Sequence, residues 1–132
     1  MKTALSLIFF IITLNFFSCT TAEEEVHNHI SITIDAPANN STVADPSAVE
    51  IDIDLTAEIE LHDVEITLSD NNNTNIAPFD PMDVHVHAKS HHVHETINLS
   101  NYPAGSQFKL TVEACEDHDC AEKETKTITF SI

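Results

Sequence analysis

The chain has no Arg and a single Gly, and its five basic residues are all Lys, set against 22 Asp and Glu for a net charge of −17 over 132 residues. So acidic a surface repels phosphate backbones and anionic lipid headgroups. That excludes nucleic acid as a partner and favours cations. The stretch Asp70-Asn71-Asn72-Asn73-Thr74-Asn75 has oxygen ligands at alternate positions, but it lacks the turn glycine and closing glutamate of an EF-hand loop. No apolar run is long enough to span a bilayer. The longest, from Ala4 to Phe17, has 14 residues, where a helix needs about 20. No Ser, Cys or Thr stands in a nucleophile motif, and carboxylates are too numerous for an acid–base pair to stand out. An enzyme is therefore not expected.

The apolar run follows Met1-Lys2 and ends in Phe16-Phe17-Ser18-Cys19. One positive charge before a short apolar stretch is the layout of a secretory signal. Phe16 to Cys19 resembles a bacterial lipobox, departing from it at Phe17, where a small residue is commoner. The resemblance implies that Cys19 is lipidated and becomes the new N-terminus. The following Thr20-Thr21-Ala22-Glu23-Glu24-Glu25 resembles the export tether of Bacteroidota-type lipoproteins. These features divide the chain into a signal peptide (1–18), a lipidated Cys with an acidic tether (19–28) and a folded domain (29–132). They imply an outer-membrane lipoprotein held through its lipid anchor, on the cell surface or the periplasmic face. Cleavage leaves 114 residues with four Lys against 22 acids, a net charge of −18.

From Ile30 onward the hydrophobic period is two, the mark of half-buried strands. Ile30, Ile32 and Ile34 alternate with polar residues, as do Val49, Ile51, Ile53, Leu55 and Ala57. Ile59 and Leu61 keep that odd parity, whereas Val64, Ile66 and Leu68 are even, so a turn or bulge near His62-Asp63 must reset the face. Further inward sets are Val84, Val86 and Ala88; Val93, Ile97 and Leu99; Phe108, Leu110, Val112 and Ala114; and Ile128, Phe130 and Ile132. About seven short strands without helical periodicity predict an all-β fold, a single antiparallel β-sandwich. Gln107 to Ala114 and Thr125 to Ile132 resemble the last two strands of bacterial Ig-like repeats, akin to fibronectin type III. That resemblance implies an Ig-like sandwich over 29–132 and says little about activity.

If Glu116 to Asp119 form a four-residue hairpin loop, Cys115 and Cys120 oppose each other at about 4.5–5.5 Å between Cα atoms, within reach of a disulfide. In an oxidising compartment a disulfide is favoured over the rival reading, in which Cys115, His118 and Cys120 ligate a metal.

Five of the nine His fall between residues 85 and 94. Strand alternation points Asp83, His85 and His87 away from Val84 and Val86, and His92 and His94 away from Val93. If the chain turns at Lys89-Ser90, His87 faces His92 and His85 faces His94, and two rungs of imidazoles can hold one ion with Asp83 as a further ligand or orienting group. Imidazole suits zinc, copper and nickel. If instead consecutive strands join different sheets, the two pairs face apart and no four-His site exists. His27 and His29 form another alternating pair, able to join a metal site or none, and His62 and His118 fall in expected turns with no assigned role. His92-Val93-His94-Glu95 also resembles the copper-ligand strand of copper-zinc superoxide dismutase, a glycine-rich family whose bridging His and Arg have no counterpart here.

The expectation is a cell-envelope lipoprotein that binds a divalent transition metal, zinc or copper, through His85, His87, His92, His94 and Asp83. The alternative is a metal-free interaction or adhesion module on the cell surface, binding an unidentified envelope protein.

Overall fold

The computed structural model describes residues 27–132. The expected signal peptide, the lipidation site Cys19 and most of the acidic tether lie outside the described residues. The domain is all-β, with no helix among the described residues. Its strands are β1 (Ile30–Ala36), β2 (Ser41–Thr42), β3 (Val49–Asp70), β4 (Met82–Ile97), β5 (Gln107–Cys115) and β6 (Lys123–Ser131). They form one curled sheet in the order β1-β3-β5-β6-β2, with β4 paired to β3 off that path. Pairing is antiparallel throughout, except that the two-residue β2 runs parallel to β6.

Two strands are much longer than expected, and this lowers the strand count. β3 has 22 residues and β4 has 16. Neither contains Gly or Pro, so no residue removes a ladder donor or favours a reversal. The chain resolves its parity change by bulging while it stays extended. Val49, Ile51, Ile53 and Leu55 are buried in the first half of β3, and Val64, Ile66 and Leu68 in the second, with Leu61 between them at 0% exposure. Both sets enter one continuous core. A strand that presents opposite parities to one core must rotate along its length, and β3 does so at an elbow. From Thr56 to Leu61 it advances five residues while the partner step from Ser90 to Ala88 advances two. A second shift follows between Leu61 and Asp63. Extra residues on one strand bend it and increase its twist, which curls the sheet around its core.

The first half of β3 lies between β1 and the end of β4, and the second half between the start of β4 and β5. β5 and β6 close the core with Phe108, Leu110, Val112, Ile128 and Phe130. Cys115 and Cys120 are disulfide-bonded, with Cα atoms 4.8 Å apart, across the loop that joins these two strands.

Candidate metal centres

β4 does not turn at Lys89-Ser90. It runs straight through as the antiparallel partner of β3, so the facing of His87 with His92 and of His85 with His94 is corrected. At about 3.3 Å per residue, the five steps from His87 to His92 separate the two pairs by about 16 Å along the strand. One ion cannot touch both. The histidines of β4 look across to carboxylates of β3: His94 is opposite Asp52, His92 opposite Asp54 and His85 opposite Asp63. Asp83 lies opposite Glu65 and belongs to neither converging ligand group. The imidazoles are thereby shared between two separate centres, each containing residues that the sequence did not nominate.

The first centre lies on the outer face of the straight part of β3 and β4. Asp52, His92 and His94 each offer one ligand atom within 4.8 Å of the others. Asp52 Oδ1 is 3.6 Å from His92 Nε2, and Asp52 Oδ2 is 3.6 Å from His94 Nδ1. These distances are too long for hydrogen bonds. They are close to the edge of about 3.4 Å between two ligands bound tetrahedrally at about 2.0–2.1 Å. Asp52 Oδ1 is buried without a hydrogen-bond partner, a costly condition for a carboxylate oxygen that a cation would relieve. The two rings are stacked, 14° apart with centroids 6.3 Å apart, and His92 Nδ1 is held by Asp54 Oδ1 at 2.9 Å. A carboxylate on the second ring nitrogen orients an imidazole and raises its basicity.

The second centre is at the elbow. The bulge carries Glu60 and His62 to the edge of the curl, beside His87 of β4, and these three also bring ligand atoms within 4.8 Å of one another. His87 Nδ1 lies 2.7 Å from Glu60 Oε1. His62 Nδ1 is buried and has no hydrogen-bond partner. His118, from the loop closed by the disulfide, stacks obliquely on His62 with centroids 4.1 Å apart and is 5.8 Å from His87. His85 packs edge-on against His87 at 4.5 Å, and its own Nδ1 is engaged by Asp63. That hydrogen bond is the chief reason the Asp63 carboxyl is held below the usual carboxylate range, with the charges of His85, His118 and His62 adding to it and partial burial opposing it.

Asn28 frames the elbow. It is buried, at 7% exposure. Its amide nitrogen donates to the carbonyls of Glu60 and, at 3.1 Å, Glu116, while its oxygen accepts from the Ile59 amide at 2.9 Å. One side chain thus ties the bulge of β3 to the start of the disulfide loop. An open pocket beside it is lined by His27, Ile59, His62 and Glu122, and His27 lies 3.6 Å from the Glu122 carboxylate. His29 and His91 join neither centre.

Sequence spacing alone puts His62 and His118 in turns and assigns them no role. The parity break at His62-Asp63 signalled a bulge there, and a bulge re-aims side chains, but sequence spacing does not show where the β5–β6 loop comes to rest. The Asn-rich loop holds no converging ligand set. The Asp70 carboxylate accepts from the Thr74 amide at 2.9 Å and the Asn72 amide at 2.8 Å. These bonds, that of Thr74 foremost, lower its pKa and commit it to shaping the turn.

These features define an all-β domain with two histidine–carboxylate clusters at metal-ligand spacing. Compared with known proteins, the chain matches no family model and no curated sequence.

Proposed function

We propose that this protein is a cell-envelope lipoprotein that binds a divalent transition metal, zinc or copper, at the elbow centre, with the Asp52–His92–His94 cluster as a second, more open site. The observation that carries the reading is His62. Its Nδ1 is buried and unpartnered, and the residue offers a ring nitrogen within 4.8 Å of ligand atoms of Glu60 and His87. A neutral imidazole is a preferred ligand for zinc and copper, and an ion bound through Nδ1 would satisfy an atom the protein leaves unbonded. The net charge of −17 raises the local cation concentration around both centres.

The lipobox-like Phe16 to Cys19 and the acidic tether support attachment to the outer membrane through a lipid anchor. His27 and Asn28 enter the domain beside the elbow, so the metal would be held at the tether end, able to be buffered, captured or passed to an envelope protein. The two halves of β3 facing a single core support reading the curled sheet as an open relative of the Ig-like sandwich. No catalytic role is proposed.

A second reading, the metal-free interaction module, is favoured by a different observation. His85, His87 and His92 each already hold a carboxylate, from Asp63, Glu60 and Asp54, as a solvated face needs no ion to do. Calorimetric titration of zinc and of copper(II) into the detergent-solubilised full chain, beside His62→Ala and His87→Ala, separates the two. The metal reading expects stoichiometric binding that weakens at least tenfold in both variants. Weak binding, equal in all three proteins, would leave the interaction module.

A further inference from the structure

We infer that His118 is the fourth ligand of the elbow centre, delivered by the disulfide-closed loop, so that Glu60, His62, His87 and His118 form a closed, tetrahedral site of the kind zinc occupies. The inference rests on the metal reading above and adds to it the complete ligand set and the geometry of the ion.

Three observations converge. The first is the spacing of the rings. A zinc–nitrogen bond of about 2.0–2.1 Å puts an imidazole centroid about 3 Å from the ion, and a tetrahedral angle then separates two such centroids by about 5 Å. His62, His87 and His118 have centroid separations of 4.1, 5.8 and 6.2 Å, which bracket that value. The second is the frame. The Cys115–Cys120 bond closes the loop at its base. Within it the Cys120 amide donates to the Asp117 carbonyl at 3.2 Å, the Ala121 amide to Asp117 Oδ1 at 3.1 Å and the Glu116 amide to the Glu122 carbonyl at 2.9 Å. Asn28 fixes the Glu116 end of the loop to the Glu60 backbone. The loop that carries His118 is thus held beside the elbow without any ion. The third is the buried His62 Nδ1, which has no hydrogen-bond partner.

His118 is exposed and its nitrogens are not among the atoms already within 4.8 Å of one another. Binding therefore requires its ring to turn about χ2, a soft torsion in an exposed side chain, which brings a nitrogen inward and leaves the ring centroid close to its present place. Three imidazoles and a carboxylate then fill four positions and leave none for water, as in zinc sites that store or structure rather than catalyse. Copper(II) binds most nitrogen–oxygen sites more tightly than zinc, so geometry, not affinity, is the property to measure.

The test is titration of the detergent-solubilised full chain with cobalt(II), whose visible absorption is intense when it is tetrahedral and weak when it is octahedral, followed by displacement with zinc. The wild type, His62→Ala, His118→Ala and Cys115→Ser/Cys120→Ser are compared. Loss of an outer-shell partner alone costs about 10–100-fold in metal affinity. We expect His118→Ala to weaken zinc at least tenfold and to abolish the intense cobalt bands, and the double Ser variant, which frees the loop without supplying thiolates, to weaken zinc about tenfold. Wild-type bands and affinity in His118→Ala, alongside loss in His62→Ala, would overturn the fourth ligand while leaving the metal site intact. No stoichiometric binding by the wild type, or none lost in His62→Ala, would overturn the metal reading and the fourth ligand with it.

Discussion

The two centres draw on the same pair of strands in different ways. On the straight run, Asp52, His92 and His94 project from neighbouring rungs of a regular ladder. Any antiparallel pair with acids on one strand and histidines on the other would place them so. At the elbow, regular pairing is interrupted, and Glu60 and His62 reach His87 because β3 carries extra residues there. A ladder gives two ligands per strand face and leaves the ion open to water. A bulge beside a braced loop can surround it. The first centre should be tolerant and weak, the second dependent on the fold and tight.

That dependence gives the largest expected effect. Leu61 is fully buried at the turn of the elbow, and Leu→Ala at such a site costs about 2–5 kcal/mol. Leu61→Ala should lower the stability read from denaturant unfolding by that amount and weaken zinc at the elbow, while the Asp52 cluster in the remaining folded protein keeps its affinity. A loss under about 1 kcal/mol would show that the elbow is not anchored by core packing, and the contrast between the centres would fail. Asn28 comes next. Asn28→Leu removes both donors and the acceptor that join the Ile59–Glu60 bulge to Glu116. Buried polar groups left unsatisfied cost about 1–3 kcal/mol, so unfolding should shift by that much, with elbow affinity falling and the outer centre unaffected. Equal weakening of both centres would mean that Asn28 acts on global stability alone.

Which parts of this were legible in sequence follows from the range of the forces involved. Period-two alternation identifies most of the inward sets, because burial acts residue by residue: Val49 to Leu55 and Val64 to Leu68 are buried with the expected alternation, whereas Ile59 and Ala88, on the same inward parities, are exposed beside the elbow. The reset at His62-Asp63 was visible for the same reason. The Cys115–Cys120 bond was legible because a short loop leaves few geometries. What escaped was pairing. Lys89-Ser90 has neither Gly nor Pro to force a reversal, and its neighbours His91 and His92 carry no signal that tells a hairpin from a straight strand. The choice is made by β3, some 35 residues earlier in sequence, which offers Asp52, Asp54 and Asp63 as partners. His118 escaped because nothing within its loop states what the loop packs against.

A smaller effect is expected at the outer centre. Asp52→Asn keeps the shape of the side chain but removes the charge that would hold the ion between His92 and His94. It should weaken the lower-affinity zinc event about tenfold, a change of about 1.4 kcal/mol, and leave the tighter event alone. Because Asp52 Oδ1 is buried and unpartnered, protein stability should hold or rise, since a desolvated charge is removed. Loss of the tighter event instead would exchange the ranks of the two centres.

The smallest effect concerns His85, which touches the elbow rings but stands outside its ligand group. Its place is read from Asp63, whose carboxyl lies below the usual carboxylate range chiefly because it hydrogen-bonds His85. A carboxyl depressed in the folded state contributes stability that is present above its unfolded pKa and lost as pH falls through its folded one. The pair therefore supports the fold at neutral pH and ceases to do so in the acid range. In His85→Ala, the Asp63 carboxyl followed by NMR titration should move up towards the usual value, because its chief lowering contact is gone, while zinc affinity at the elbow changes little. An unmoved Asp63 together with weakened zinc would show that His85 belongs to the ion rather than to the carboxylate. The elbow would then hold a fourth imidazole from β4, and the division between a ladder centre and a loop-closed centre would have to be redrawn.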